Sequence, residues 1–96
     1  MGIELSDRVV VVTGASAGIG AALAVALAQK GAKVVLAARN AEALGEVAER
    51  AGSPCAIAVA DVTDREQVSQ ILATAFSHFG HVDVWINNVG QGITCA

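Results

Sequence analysis

Four apolar runs along the chain have the length and composition of buried β-strands. They cover residues 9–12, 33–39, 55–59 and 82–87, and the first of them consists of consecutive valines. β-Branched residues favour extended backbone, and a continuous apolar run suits a strand that is buried on both faces of a parallel sheet. The pattern therefore predicts four strands, separated by segments with a different periodicity.

Between these runs, apolar residues recur at intervals of three and four, which is the spacing of one face of an α-helix. The predicted stripes are Ile19, Ala22, Leu23, Ala26 and Leu27 for the first helix, Leu44, Val47, Ala48 and Ala51 for the second, and Val68, Ile71, Leu72, Ala75, Phe76 and Phe79 for the third. Asn40 can cap the second helix, and Thr63 with Glu66 forms a capping-box pattern before the third. Gly31 and Gly80 follow the first and third helices as stop signals.

Strands that alternate with helices imply right-handed crossovers and a parallel sheet covered on both faces. The predicted fold class is therefore α/β, a doubly wound parallel sheet of order 3-2-1-4, within one domain. In this order the first and fourth strands are neighbours at the switch point of the sheet, so Gly14 and Asn88 should meet there.

The first strand runs directly into a glycine-rich turn and then into a helix. Residues 8–20 read R-V-V-V-V-T-G-A-S-A-G-I-G, in which Gly14, Gly18 and Gly20 are spaced as G-x3-G-x-G. Each glycine can serve a purpose that a Cβ would block: a tight turn, close approach to a pyrophosphate, and close packing of the helix. The free N–H groups of the first helical turn favour an anion there. The alternative is an ordinary strand-to-helix turn, in which glycines are also common.

Composition and charge exclude several classes of protein. The chain is 54% hydrophobic and 16% charged with a net charge of −3, which is typical of a globular protein and does not favour nucleic acid. The apolar run at 21–28 is too short to span a bilayer and the N-terminus lacks the signal-peptide pattern, so we expect a cytoplasmic protein with no membrane partner. Cys55 and Cys95 lack C-x-x-C spacing, and His78 and His81 lack a nearby third ligand, so no metal site is expected.

With these motifs in order, the sequence resembles the short-chain dehydrogenases/reductases. Residues 13–20 match the T-G-x3-G-x-G motif of that family, and residues 87–90 match its N-N-A-G motif except that Val89 replaces the alanine. Asp61 stands where the family usually has an acidic residue after the third strand. The resemblance covers nearly the whole chain, and three motifs in the right order are more specific than any one of them.

The resemblance implies a Rossmann-like sheet that is truncated after the fourth strand, with residues 1–96 as the N-terminal portion of one NAD(P)-binding domain. It also implies a nicotinamide dinucleotide as cofactor and a role for each matching residue. The residues implied to line the phosphates and the adjoining ribose are Gly14, Ser16, Ala17, Gly18, Ile19 and Gly20. Asp61 and Val62 would hold the adenine, although Asp61 could instead cap the following helix. Asn88, Val89 and Gly90 would pass under the ribose on the nicotinamide side. Thr13, Asn87 and Asn88 could also simply tie the first strand to the fourth by hydrogen bonds.

The end of the second strand bears on the choice of cofactor. An NAD-selective site would place a carboxylate there to bind the ribose 2′-hydroxyl, and that carboxylate would repel a 2′-phosphate. Ala38 and Arg39 occupy this region instead, and a guanidinium can form a bidentate pair with phosphate. We therefore expect NADP(H) to be preferred over NAD(H). The alternative is that Arg39 is only a solvated residue at the start of a helix.

The catalytic residues that the resemblance implies are absent. The chemistry of the family uses a serine and a Tyr-x3-Lys pair beyond the fourth strand, whereas this chain contains no tyrosine. The resemblance thus implies the cofactor-binding part of an NADP-dependent oxidoreductase acting on a carbonyl or alcohol, with the 96-residue chain inactive alone. A second hypothesis is a non-catalytic dinucleotide-binding or interaction module, and a third is an α/β domain with no ligand. We also expect the open edge of the fourth strand to favour self-association or complementation by a C-terminal half. The alternative is that residues 91–96 fold back and cover part of this edge.

Overall fold

The chain forms an α/β fold in which strands and helices alternate up to the fourth strand. A computed structural model describes residues 7–16, 18–52, 55–61, 64–88 and 94–95. The elements are β1 (Val9–Thr13), α1 (Gly18–Gln29), β2 (Lys33–Ala38), α2 (Ala41–Ala51), β3 (Cys55–Val59), α3 (Arg65–Phe79), β4 (Val84–Asn87) and β5 (Thr94–Cys95). Within these residues no helix has both the length and the hydropathy that a membrane span requires.

The sheet confirms the predicted topology and adds one strand to it. Its order is β3-β2-β1-β4-β5, and the first four strands of that order are parallel. Val10 of β1 pairs with Val34 on one side and with Val84 on the other. The short β5 runs antiparallel to β4 and pairs Ile86 with Cys95 and Asn87 with Thr94. The expectation of a wholly open β4 edge is therefore wrong at its carboxyl end, where the tail of the chain adds backbone hydrogen bonds.

The ends of two strands differ from the prediction. β2 ends at Ala38, so that Arg39 lies just outside the sheet. β4 begins at Val84 rather than at residue 82, because Asp83 binds the start of β1. The backbone N–H of Asp83 donates to Val9 O at 2.9 Å, and Val9 N donates back to Asp83 Oδ2 at 2.8 Å. A carboxylate thus replaces a backbone carbonyl where the pairing of β1 with β4 begins.

The side chains of β1 alternate between two hydrophobic layers. Val10 and Val12 pack with Leu36 of β2 and with buried residues of α1 and α2 on one face of the sheet. Val9 and Val11 pack with Ile71 of α3 on the other face. All of β1 is buried, as predicted for a strand covered by helices on both sides.

The predicted stripe of α1 is only partly correct: Leu23 and Leu27 are partly buried against the core, whereas Ile19, Ala22 and Ala26 are exposed. Ile19 is 66% exposed, and the residues of α1 that are buried are Gly20, Ala21, Ala24 and Ala28. Because α1 is apolar on nearly every side, hydrophobic periodicity could not identify the buried face. Small residues face the sheet instead, which lets the helix axis approach the strands closely.

The other two helices follow the sequence more closely. Leu44, Val47 and Ala51 of α2 are buried as predicted, and Asn40 caps the helix by accepting a hydrogen bond from Ala43 N. In α3, Ile71 and Ala75 are buried.

Two details of α3 differ from the expectation. The N-cap is Asp64, whose Oδ1 accepts from Glu66 N, and not Thr63, which lies outside the described residues. Phe76, placed in the predicted stripe, is 54% exposed.

On the edge strand β3, Ile57 and Val59 are also exposed while Ala56 and Ala58 are buried, so large apolar residues there do not mark the core.

Candidate functional site

The glycine-rich turn between β1 and α1 lies at the carboxyl end of the sheet, where β1 separates β2 from β4. Gly14 and Gly18 have positive φ angles of 63° and 59°, a backbone conformation that side chains with a Cβ rarely adopt. Ala15 is buried, and its N–H donates to Ala37 O of β2 at 3.2 Å. The turn is therefore fastened to the neighbouring strand on one side.

On its other side the turn is in close contact with the end of β4. A Cβ built at Gly14 would overlap the carbonyl oxygen of Asn88, which confirms that these two residues meet. A Cβ built at Gly20 would overlap the carbonyl oxygen of Gly14 and crowd the side-chain amide of Asn88. Only glycine allows this contact, because the obstructing atoms at both positions include backbone that has no rotamer to change.

Thr13 supplies the hydrogen bonds that hold β1 and β4 together at this end. Among the residues that the structure describes, Thr13 is the one polar residue whose side chain is fully buried. Its hydroxyl accepts from Asn88 N at 2.9 Å, and its proton is within reach of Asn87 Oδ1 at 2.9 Å and of Ile86 O at 3.3 Å. The predicted structural tie between Thr13 and the two asparagines is thus present.

Gly18 differs from the other two glycines of the motif because the space beside it is open. No heavy atom lies within 4 Å of a Cβ built there, and both Gly18 and Ile19 are exposed. Ser16, on the same turn, is half-buried. The N-terminal turn of α1 starts at this opening, and the first N–H groups of a helix have no partner within it. Free N–H groups at a helix N-terminus favour an anion, so the open space beside Gly18 is a candidate position for one.

Arg39 lies immediately beyond β2, at the same carboxyl end of the sheet. Its side chain is exposed, and none of the ion pairs found within the described part of the chain includes it. Asn40 follows and begins α2. A positively charged residue therefore follows the strand that neighbours β1, at the same end of the sheet as the β1–α1 turn.

Asp61 follows β3 and is half-buried. Its backbone N–H donates to Gln67 Oε1 at 2.6 Å, and its carbonyl oxygen accepts from Asp64 N at 3.0 Å. The alternative in which Asp61 is the N-cap of α3 is wrong, because Asp64 holds that position. Sequence reasoning missed Gln67, although a glutamine six residues after the acidic residue and early in a helix is visible in the sequence.

Four of the predicted site residues, Ala17, Val62, Val89 and Gly90, lie outside the described residues. The remaining eight lie at the carboxyl edge of the parallel strands: Gly18, Ile19 and Gly20 are in the first turn of α1, and the other five directly follow a strand or lie in the turn after it. Asn88 contacts Gly14 and Gly20 as described above, whereas Gly18 borders the open space beside them. Arg39 follows β2, which neighbours β1, and Asp61 follows β3, which is the next strand across the sheet.

A second polar cluster lies at the opposite end of the sheet, and sequence reasoning missed it. Asp83 accepts from Val9 N, lies 2.8 Å from His81 Nε2 and is 3.5 Å from Arg8. The hydrogen bond from Val9 N lowers the pKa of Asp83, with smaller contributions from His81 and Arg8, while partial burial opposes the lowering. This cluster joins the amino ends of β1 and β4, far from the glycine turn.

No metal-binding group of three or more His, Cys, Asp or Glu residues occurs in the ranges that the structure describes. His78 and His81 are exposed near the end of α3 and before β4. Cys55 is a free thiol on β3, and burial raises its pKa.

Comparison with known proteins gives consistent matches. The family model for short chain dehydrogenases matches residues 8–96. An uncharacterized oxidoreductase from Staphylococcus epidermidis is 41% identical over 91 residues, which are 95% of this chain and 40% of that protein. Glucose dehydrogenase of Caenorhabditis elegans, in its apo-form, superimposes with a TM-score of 0.86 at 38% identity, covering 94% of this chain and 40% of the other.

L-sorbose reductase from Gluconobacter frateurii, solved in complex with NADPH and L-sorbose, superimposes with a TM-score of 0.84 at 36% identity. The match covers 94% of this chain and 36% of the reductase. The chain therefore spans about 40% of the length of the relatives that it matches.

Proposed function

Because the chain belongs to the short-chain dehydrogenase family, we propose that it forms the NADP(H)-binding portion of an oxidoreductase. The reaction proposed is hydride transfer between the nicotinamide cofactor and a carbonyl or alcohol substrate. The observation that carries the proposal is the glycine turn, which is closed against Asn88 at Gly14 and Gly20 and open at Gly18. That combination provides a rigid backbone cradle with space for a phosphate group.

The proposed contacts follow the order of the strands. The pyrophosphate and adjoining ribose lie against the turn formed by Gly14, Ser16, Ala17, Gly18, Ile19 and Gly20. Asp61 and Val62 hold the adenine, where a carboxylate accepts from the exocyclic amine. Asn88, Val89 and Gly90 pass under the second ribose. Thr13 keeps Asn88 in place through the 2.9 Å hydrogen bond to its backbone N–H.

Arg39 is proposed to select the 2′-phosphorylated cofactor. The exposed guanidinium follows β2, on the strand beside the glycine turn, and no carboxylate stands at this position. A charge-assisted, bidentate contact with the 2′-phosphate would contribute about 1.5–3 kcal/mol, which is about tenfold to a hundredfold in affinity.

Titration of the purified chain with NADPH and NADH tests this proposal. We expect tighter binding of NADPH, and we expect Arg39→Ala to remove most of that preference while leaving the affinity for NADH unchanged. Arg50→Ala is the matched control, because Arg50 is an exposed arginine in the last turn of α2 and should leave both affinities unchanged. Equal affinities in the unmodified chain, or a preference that survives Arg39→Ala, would overturn the NADP assignment.

The second part of the proposal concerns turnover. A bound cofactor supplies or accepts the hydride, but the substrate oxygen also needs a proton donor, and this chain contains no tyrosine. Acid–base assistance of about 10²–10⁴-fold is then lost, and no described residue orients a substrate against the nicotinamide. His81 cannot replace the donor, because it binds Asp83 at the opposite end of the sheet. The 96-residue chain alone is therefore expected to be inactive.

Following NADPH absorbance in the presence of a panel of aldehydes and ketones tests this expectation. Turnover by the purified chain would contradict it. The same assay on a longer polypeptide that adds a family-type serine and Tyr-x3-Lys segment should recover activity. If that polypeptide binds NADPH and reduces nothing on a broad panel, a non-catalytic dinucleotide-binding module becomes the better description.

A further inference from the structure

The side chain of Gln67 connects the loop that follows β3 to α3. Gln67 lies in the first turn of α3, and its Oε1 accepts from the backbone N–H of Asp61 at 2.6 Å. Its Nε2 donates to Asp64 Oδ2 at 3.3 Å. The same side-chain amide therefore contacts both ends of the connection between β3 and α3.

Two further hydrogen bonds complete this connection. Asp64 N donates to Asp61 O at 3.0 Å, and Asp64 Oδ1 accepts from Glu66 N at 2.9 Å. Ala60, just before the loop, is buried and donates from its N–H to Ala38 O at 2.9 Å. The peptide group before the Asp61 Cα is therefore held through its N–H by Gln67, and the peptide group after it is held through its carbonyl oxygen by Asp64 N.

Such restraint has a consequence for the Asp61 side chain. Fixing the peptide planes on both sides of a Cα fixes the direction of its Cα–Cβ bond, and the side-chain torsions then set where the carboxylate lies. The N–H of Asp61 is also occupied by Gln67, so what Asp61 can offer a ligand is the acceptor capacity of its carboxylate.

We propose that Gln67 is a positioning residue that, through its hydrogen bond to Asp61 N, aims the Asp61 carboxylate at the exocyclic amine of the cofactor's adenine. Gln67 thereby sets the preference of the site for adenine over a purine that lacks this amine. The inference rests on the proposed cofactor-binding function. A charge-assisted hydrogen bond between a carboxylate and an amine is worth about tenfold to a hundredfold in affinity, and misdirecting the carboxylate removes that advantage.

Isothermal titration calorimetry of the full 96-residue chain with NADPH and with its deamino analogue, which carries hypoxanthine in place of adenine, tests the inference. The unmodified chain should bind NADPH at least about tenfold more tightly than the analogue. Gln67→Met keeps the length of the side chain and removes both hydrogen bonds, and it should reduce this ratio to near one by weakening NADPH binding alone. Gln70→Met, the same substitution at an exposed position of α3, is the matched control and should leave the ratio unchanged.

Rescue by a conservative variant separates positioning from a general structural effect. Gln67→Glu keeps an oxygen acceptor for Asp61 N and should retain the preference for adenine, even if the loss of the contact with Asp64 lowers the melting temperature. An adenine preference that persists in Gln67→Met, or one that is lost equally in Gln67→Glu, overturns the inference alone. Failure of the unmodified chain to bind NADPH overturns the proposed function and this inference together.

Discussion

Two of the open, positive-φ glycines among the described residues allow ligand contact to be separated from backbone strain. Gly18 in the β1–α1 turn and Gly52 after α2 have φ angles of 59° and 68°, and a Cβ built at either position meets no heavy atom within 4 Å. Valine at each position therefore carries the same left-handed strain, about 1–2 kcal/mol, without a steric clash. We expect Gly18→Val and Gly52→Val to lower stability by similar amounts and only Gly18→Val to abolish NADPH binding.

The magnitudes follow from the surroundings of each glycine. At about 4–8 °C per kcal/mol for a domain of this size, both variants should melt about 4–16 °C below the unmodified chain. Ile71→Ala, at a position that is 0% exposed, should cost more because it opens a cavity, about 2–5 kcal/mol. A side chain at Gly18 stands where the pyrophosphate would approach, so NADPH affinity should fall at least about a hundredfold, or ~2.7 kcal/mol.

Thermal unfolding and NADPH titration on the same preparations provide the comparison. Ile71→Ala should melt lowest and still bind NADPH below its melting temperature, whereas Gly18→Val should be more stable and not bind. Normal NADPH binding by Gly18→Val would refute the assignment of the glycine turn to the phosphates. Loss of binding in Gly52→Val would show that strain alone accounts for the effect.

Three further predictions concern the ends and the edge of the sheet. Because the folded-state pKa of Asp83 is lowered, its carboxylate stabilises the fold above the ordinary pKa of about 4, and this stabilisation is lost as pH falls through the folded-state pKa. The difference in urea stability between the unmodified chain and Asp83→Asn should therefore shrink between pH 6 and pH 3, and a constant difference would contradict this. Thr13→Val should lower the free energy of unfolding in urea by about 1–3 kcal/mol, because it leaves the N–H of Asn88 without its acceptor. Thr13→Ser should lower it less, and equal stabilities of the two variants would rule out the hydrogen bond between Thr13 and Asn88 as the cause. Since β5 pairs only with Ile86 and Asn87 of β4 in the described residues, sedimentation velocity should show concentration-dependent association, and a single monomer boundary at all concentrations would count against it.

Much of the fold was predictable from local sequence. The consecutive valines of β1 predict a strand that is buried on both faces, and the structure confirms this, because β-branched runs and double-sided burial are both local signals. Asn40 was identified as the cap of α2 because an N-cap needs only a suitable side chain at the start of a helical pattern. The strand order 3-2-1-4 followed from the alternation of elements and the handedness of crossovers.

Other features were not predictable from the local pattern of the sequence. The buried face of α1 was decided by how closely the helix approaches Gly14 and Asn88, which the uniform apolar character of the helix does not encode. The N-cap of α3 could not be chosen between neighbouring Thr63 and Asp64 by pattern alone. Phe76 has helical spacing like Ile71, yet it is exposed because no described element covers that side of α3.

For the candidate site, the sequence by itself determined which residues follow the strands, and the tertiary structure decided which of them touch. The glycine spacing is local and visible, whereas the contact of Gly20 with Asn88 requires β4 to lie beside β1. Gln67 and Asp83 each act on a backbone N–H of another element, Asp61 N and Val9 N respectively. A hydrogen bond between a side chain and a distant backbone leaves no periodicity in the sequence, since any backbone N–H is chemically the same donor. Only the folded arrangement selects the pair.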